Sequence, residues 1–251
     1  IQKPADWSQD RLMLSAIINL ESHGALIALA IWSLWIARPH LREVWRRAFA
    51  RDRTKDPPDG LFSYRTAVLG VIGGFTYLVA WLTVSGQGLL FALCTSMLMS
   101  AAYFAVTKFL AASGFAYLFP PDVGGSGLVK TAFGTMNMTN EQLIGLRLHN
   151  SGAFVGGSRL LAIPMMPHYV KMMAGVAEKK WMFPSLWIAF AMGVGASFAY
   201  ALNLFYTVGG DNLGTYTLVT GNTNVYYSLY ADINAANRSQ PDLQKMLVWL
   251  F

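Results

Sequence analysis

The stretch MLSAIINLESHGALIALAIWSLWIA, residues 13–37, decides the fold class. As a helix rising about 1.5 Å per residue it reaches roughly 37 Å, enough to cross a bilayer core of about 30 Å. Its only ionisable side chains are Glu21 and His23. A carboxylate and an imidazole in such a run cost free energy unless they face protein, water or another polar group. The run therefore predicts an integral membrane protein whose helix bundle has a polar demand inside it. Glu21 and His23 stand two positions apart, so they point to different helix faces and do not pair with each other. With Asn19 on the same turn they form the candidate intramembrane polar site. A functional reading makes them line a solute or proton path. A structural reading makes each one bond a neighbouring helix or sit wet near the interface.

Composition agrees with a membrane chain. Of 251 residues, 54% are hydrophobic and 13% charged, against about 25% charged in an ordinary globular domain. The net charge of +6 is clustered, because eight of the nineteen basic residues fall between Arg38 and Arg65. A basic cluster beside an apolar span is first a topology signal, which sets nucleic-acid binding aside. The single cysteine, Cys94, lies in an apolar stretch and allows no disulfide within the chain.

Outward from the first span, the pattern predicts an all-α bundle of four complete spans and part of a fifth. The spans are 13–37, 66–84, 89–112, 182–208 and, incompletely, 243–251. Trp32 and Trp35 mark the far end of the first span as an aromatic belt. Residues 40–51 read as a basic amphipathic helix on the membrane surface, carrying Arg42, Arg46, Arg47 and Arg51. The breaker 56–60, with Pro57, Pro58 and Gly60, ends it. Glycines at 70, 73 and 74 predict close helix approach in the second span. In 113–181, polar residues interrupt every apolar patch before it reaches span length, and the segment reads as surface helices or re-entrant pieces. The whole chain is expected to form one membrane domain. A fifth apolar run beginning near Leu243 suggests a segment of a longer protein, with a lipid bilayer and either the rest of the chain or other membrane subunits as partners.

Counting basic residues orients the chain. Placing 38–65 in the cytoplasm sends 113–181 to the same side, and those two segments hold fourteen Lys and Arg against three in 1–12, 85–88 and 209–242. That bias predicts a multi-pass protein of the cell's inner (plasma) membrane with its amino-terminal end outside.

No catalytic pattern stands out. The four histidines lack zinc spacing, there is no paired-Cys motif, and no metal site is expected. Glycines at 124, 125 and 127 lack the lysine spacing of a phosphate loop. No nucleophile elbow occurs, and no enzyme activity is expected. The cofactor question stays open, with His23, the only histidine within a span, as the candidate ligand for a haem or pigment.

Two stretches carry a family resemblance. One is YFAVTKFLAASGF, residues 103–115, leading to Phe119-Pro120-Pro121. The other runs from Arg159-Leu160-Leu161 through Met166-Pro167-His168 and Lys171 to the span that ends in Asn203-Leu204-Phe205-Tyr206-Thr207-Val208-Gly209-Gly210. Together they resemble an uncharacterised family of large bacterial polytopic membrane proteins, itself distantly similar to oligopeptide transporters. The chain departs from that family at Leu110 and Ala112, where Arg and Glu are usual, and at Tyr169-Val170-Lys171, where Gln-Leu-Glu is usual. The resemblance implies a transporter-like protein for a small solute or peptide; Glu21 is the residue a proton-coupled mechanism would use. The alternative is a non-catalytic structural or accessory subunit of a larger membrane complex.

Overall fold

The computed structural model describes residues 14–50, 63–115, 118, 124–149, 162–173, 181–209, 212, 221–234 and 238–250. Among these the regular elements are all helical. The expected breaker at 56–60 and the segments 1–12 and 150–161 lie outside the described residues. Four helices are long and apolar enough to cross a membrane: Ile17–Ala48, Tyr64–Gln87, Leu89–Ser113 and Pro184–Val208.

Helix α1 runs Leu14–Ala48. Leu20, His23, Ile27, Ala30 and Ser33 are buried, and their spacing of three and four puts them on one helix face. Glu21 and Ser22 stand exposed on another face. The expected separate surface helix over 40–51 is corrected here, because α1 continues unbroken through Pro39 to Ala48. Proline normally removes one helix hydrogen bond and crowds the preceding turn. Side-chain pairs brace the helix on either side of it. The Arg38 guanidinium lies 4.4 Å from the centre of the Trp35 ring, and Glu43 takes both Arg46 at 2.7 Å and Arg47 at 2.5 Å.

Helix α2 spans Tyr64–Leu82 and opens on Ser63, whose Oγ accepts from the Thr66 backbone N–H at 3.2 Å, satisfying one of the donors that a helix start leaves open. It passes into a π-helical turn, Thr83–Gln87. Gly86 and Gly88 take φ of +96° and +81°, a region where side-chained residues are strained, and the chain reverses into α3, Leu89–Ser113. Gly114, at φ +73°, closes α3 by donating its N–H to the Leu110 carbonyl, the usual left-handed helix stop.

The remaining helices are α4 (Gly124–Phe133), α5 (Asn140–His149), α6 (Ala162–Met173), α7 (Met182–Val208), α8 (Gly221–Ile233) and α9 (Leu243–Leu250). Helix α3 is the hub and packs against α1, α2, α4 and α6. Its residues Ala92, Thr95, Ser96, Ala102, Tyr103, Ala105, Val106 and Leu110 are buried. Two apolar clusters form around it. Val79, Leu82 and Ala92 join α2 to α3, while Val129, Met138, Leu143 and Leu146 join α4 to α5 with Phe91 and Leu98 of α3 packed on them. By contrast, α7 has no buried residue along its apolar window.

Residues 124–149 of the segment 113–181 pack near the Gly88 end of α3. Helix α4 lies antiparallel to α3. A Cβ on Gly125 would stand 2.7 Å from the Thr95 carbonyl oxygen, and Phe133 packs edge-on against Phe91 at 5.5 Å. Helix α5 in turn sits on the π turn, where a Cβ on Gly145 would fall 2.8 Å from the Gln87 Cβ. Both helices therefore gather at the Gly88 end of α3, away from Ser113. The cause is local chemistry. Glycine at 125 and 145 removes the side chains that would hold the helices apart, and Arg238 stitches the α4–α5 turn to the segment before α9. Its guanidinium donates to the carbonyls of Thr135 at 3.3 Å and Met138 at 2.5 Å and to Asn140 Oδ1 at 2.7 Å.

Candidate functional site

The polar groups foreseen in the first span are separated by the fold. Asn19 is half-buried and Glu21 is exposed, whereas His23 has no accessible surface. His23 meets a residue more than two hundred positions away: Trp249 of α9 donates its indole Nε1–H to His23 Nδ1 at 3.0 Å. The approach depends on the next residue. A Cβ on Gly24 would collide with the Trp249 carbonyl, so only glycine lets α9 come this close to α1.

That hydrogen bond sets the imidazole tautomer. With Nδ1 accepting, the neutral ring carries its proton on Nε2. His23 Nε2 is buried without a partner among the described residues. Haem or pigment ligation through Nε2 needs a lone pair there, which this tautomer lacks. The residues at this position therefore do not fit the ligand role considered for His23.

A second polar group lies at the turn between α2 and α3. Gln87 is fully buried, and its Nε2 donates to Thr95 Oγ1 at 2.9 Å. The Thr95 hydroxyl in turn donates its O–H to the Phe91 carbonyl at 2.7 Å. Gln87 Oε1 and the hydroxyls of Ser33 and Ser96 are buried with no partner among the described residues. Unmet polar capacity of this kind is uncommon in a packed interior and marks places where water or a polar ligand has a use.

Helix α4 begins inside this region. Its ten residues extend about 15 Å, half of what a bilayer core requires. The start, Gly124-Gly125-Ser126-Gly127, lies beside Thr95 and Leu98 of α3, about 9–14 Å along α3 from Leu89. Gly125 and Ser126 are buried. At its far end, Thr131 and Thr135 are tied to the chain before α9: the Asp242 N–H donates to the Thr131 carbonyl at 2.9 Å, and the Thr135 N–H to the Ser239 carbonyl at 2.8 Å. Lys130 pairs with Asp232 of α8 across a half-buried contact. Next to this assembly, burial pushes the His149 imidazole of α5 down to about 4.

The basic stripe is placed as a continuation of α1. Arg46 and Arg47 share Glu43, and Arg42 is exposed. Arg51 lies outside the described residues. Gln87, Thr95 and Trp249 are not candidates in the sequence reading, and glycines 124, 125 and 127 at the start of α4 enter it only as a rejected phosphate loop. One available signal was the glycine-rich run 124–127 followed by too few apolar residues to span.

With the geometry described, the family comparison has a clear result. A family model described as "Family of unknown function (DUF6785)" matches residues 6–251. The chain belongs to this family. That agrees with the resemblance to an uncharacterised family read from the two stretches above. No curated protein and no solved structure matches.

Proposed function

We propose that the chain is a polytopic membrane protein of the transporter-like class, moving a small solute through a path beside the start of α4. The supporting observation is the half-length helix itself. A helix that starts inside a bundle leaves its first four backbone N–H groups without helix partners. At membrane depth such an end is tolerated only where protein or a water-filled cavity surrounds it. Transporters use discontinuous helices of this kind to meet substrate groups near the midplane. Here the end is glycine-rich and carries the buried Ser126. The incompletely satisfied Gln87 lies in the adjoining layer, bonded to Thr95. The sequence resemblance implies a small solute or peptide as cargo, which makes short peptides the first solutes to try. Proton coupling through Glu21 gains no support from its placement, since Glu21 is exposed on a face away from His23.

The test is uptake into proteoliposomes containing the purified chain, using labelled amino acids and di- and tripeptides with and without an imposed pH gradient. Saturable accumulation that falls when Gln87 is changed to Leu supports the reading. Uptake equal to empty vesicles across the panel removes it.

One observation favours a second reading, an accessory subunit within a larger membrane assembly. Helix α7 is apolar and no residue of its apolar window is buried. A fixed partner would cover that surface, and it would co-purify in constant ratio from mild detergent.

A further inference from the structure

A groove of about 560 Å³ lies between α6 and the first turns of α7. Met166, His168 and Met172 form one wall, and Leu186, Trp187 and Phe190 the other. Its volume is that of an ordinary small-molecule site. The two helices are clasped by a hydrogen bond between the Tyr169 hydroxyl and Ser185 Oγ at 2.8 Å, so the groove is built and not a gap between unrelated elements. Its surface is almost wholly apolar: the Tyr169 hydroxyl is engaged in the clasp, and His168 Nε2 is buried. Lys171 is exposed and sits one helical turn from His168, on the same side of α6.

We propose that this groove binds an anionic phospholipid, with an acyl chain between the helices and the phosphate at Lys171. The inference rests on the membrane reading above and not on transport. Depth supports it. Trp181, exposed at the start of α7, suits the headgroup level that Trp favours. Leu186 to Phe190 then lie about 7–14 Å deeper, where glycerol esters give way to acyl chains. Lys171, close to the Tyr169–Ser185 clasp and therefore near that headgroup level, can extend its ammonium to a phosphate while its stem covers apolar surface. A zwitterionic lipid fits the apolar walls equally well but presents a compensating positive charge to Lys171. The charge therefore selects the anionic class.

The experiment uses the full chain in phosphatidylcholine nanodiscs, with a minority of phosphatidylglycerol brominated on its acyl chains. Bromine quenches nearby Trp fluorescence, and Trp187 lines the groove. One basic residue near a membrane surface is worth about a fivefold preference for anionic lipid. Brominated phosphatidylglycerol should therefore saturate its quenching at about one-fifth the fraction that brominated phosphatidylcholine requires. Trp187→Phe should abolish that excess quenching, and Lys171→Gln should equalise the two lipids. Equal quenching in the wild type overturns the lipid site alone, and so does an excess that survives Trp187→Phe. A chain that does not remain with the nanodisc overturns the membrane reading along with it.

Discussion

Replacing Trp249 by Phe isolates the contact that holds α9 against α1. The substitution keeps an aromatic ring and removes the indole N–H, leaving His23 Nδ1 as a buried acceptor with no donor. A hydrogen bond contributes about 1 kcal/mol net, and an orphaned buried partner costs about 1–3 kcal/mol. Trp249→Phe is therefore expected to lose about 1–3 kcal/mol. His23→Leu removes the acceptor, fills the site with an apolar side chain of similar bulk, and should cost less. In the double variant neither partner is left alone, so its loss should fall short of the sum by about 1 kcal/mol. Cycles between helices in lipid average about 0.6 kcal/mol and reach about 1.7 kcal/mol. The assay is reversible unfolding in mixed micelles by added dodecyl sulfate, followed by far-ultraviolet circular dichroism so that loss of one Trp does not alter the signal. Additive losses, with a coupling indistinguishable from zero, would refute the claim that these side chains share a bond across 226 positions.

The same assay reads three other contacts. Gly145→Leu places its Cβ 2.8 Å from the Gln87 Cβ and should destabilise by about 1–3 kcal/mol, with Gly145→Ala less costly. His149 is held neutral in the folded chain, its pKa lowered from 6.5 to about 4 by burial. The unfolded chain therefore takes up a proton first as pH falls. Stability should be unaffected by this group above pH 6.5, decline between 6.5 and 4, and level off below, losing about 3 kcal/mol in all. In His149→Gln that decline should shrink, which titrating the unfolding midpoint against pH will show. Lys130→Met leaves the Asp232 carboxylate without its cation and should destabilise more than the double change Lys130→Met, Asp232→Leu, because a lone half-buried charge is worse than none.

The long helices were legible because length and hydropathy alone specify them. Met182–Val208 and the start at Leu243 fall where the apolar pattern puts them, and α3 differs by one residue at its end. The expected break between 37 and 40 followed the end of the apolar run, whereas the helix continues through Pro39 to Ala48 with Trp35–Arg38 and Glu43–Arg47 pairs around the proline. The packing of 124–149 near the Gly88 end of α3 was hidden for a different reason. Counting positive charges treats a segment as a unit, and it cannot see that Gly125 and Gly145 let two short helices fold back along α3. Of the first-span polar site, the sequence indicated that Glu21 and His23 face apart. It could not reveal Trp249 as the partner, since a hydrogen bond between distant helices leaves no spacing signal. Gln87 was equally hidden, because a lone glutamine in a turn reads as surface until α5 is seen packed over it.

The placement of α4 at the Gly88 end of the bundle is the claim on which the proposed solute path depends, and accessibility labelling tests it most directly. In a Cys94→Ser background, single cysteines at Ser85, Met136 and Ser113 would be treated with a membrane-impermeant maleimide in right-side-out and inverted vesicles. The account predicts that Ser85→Cys and Met136→Cys label from one side and Ser113→Cys from the other. Met136→Cys labelling together with Ser113→Cys, opposite Ser85→Cys, would contradict it.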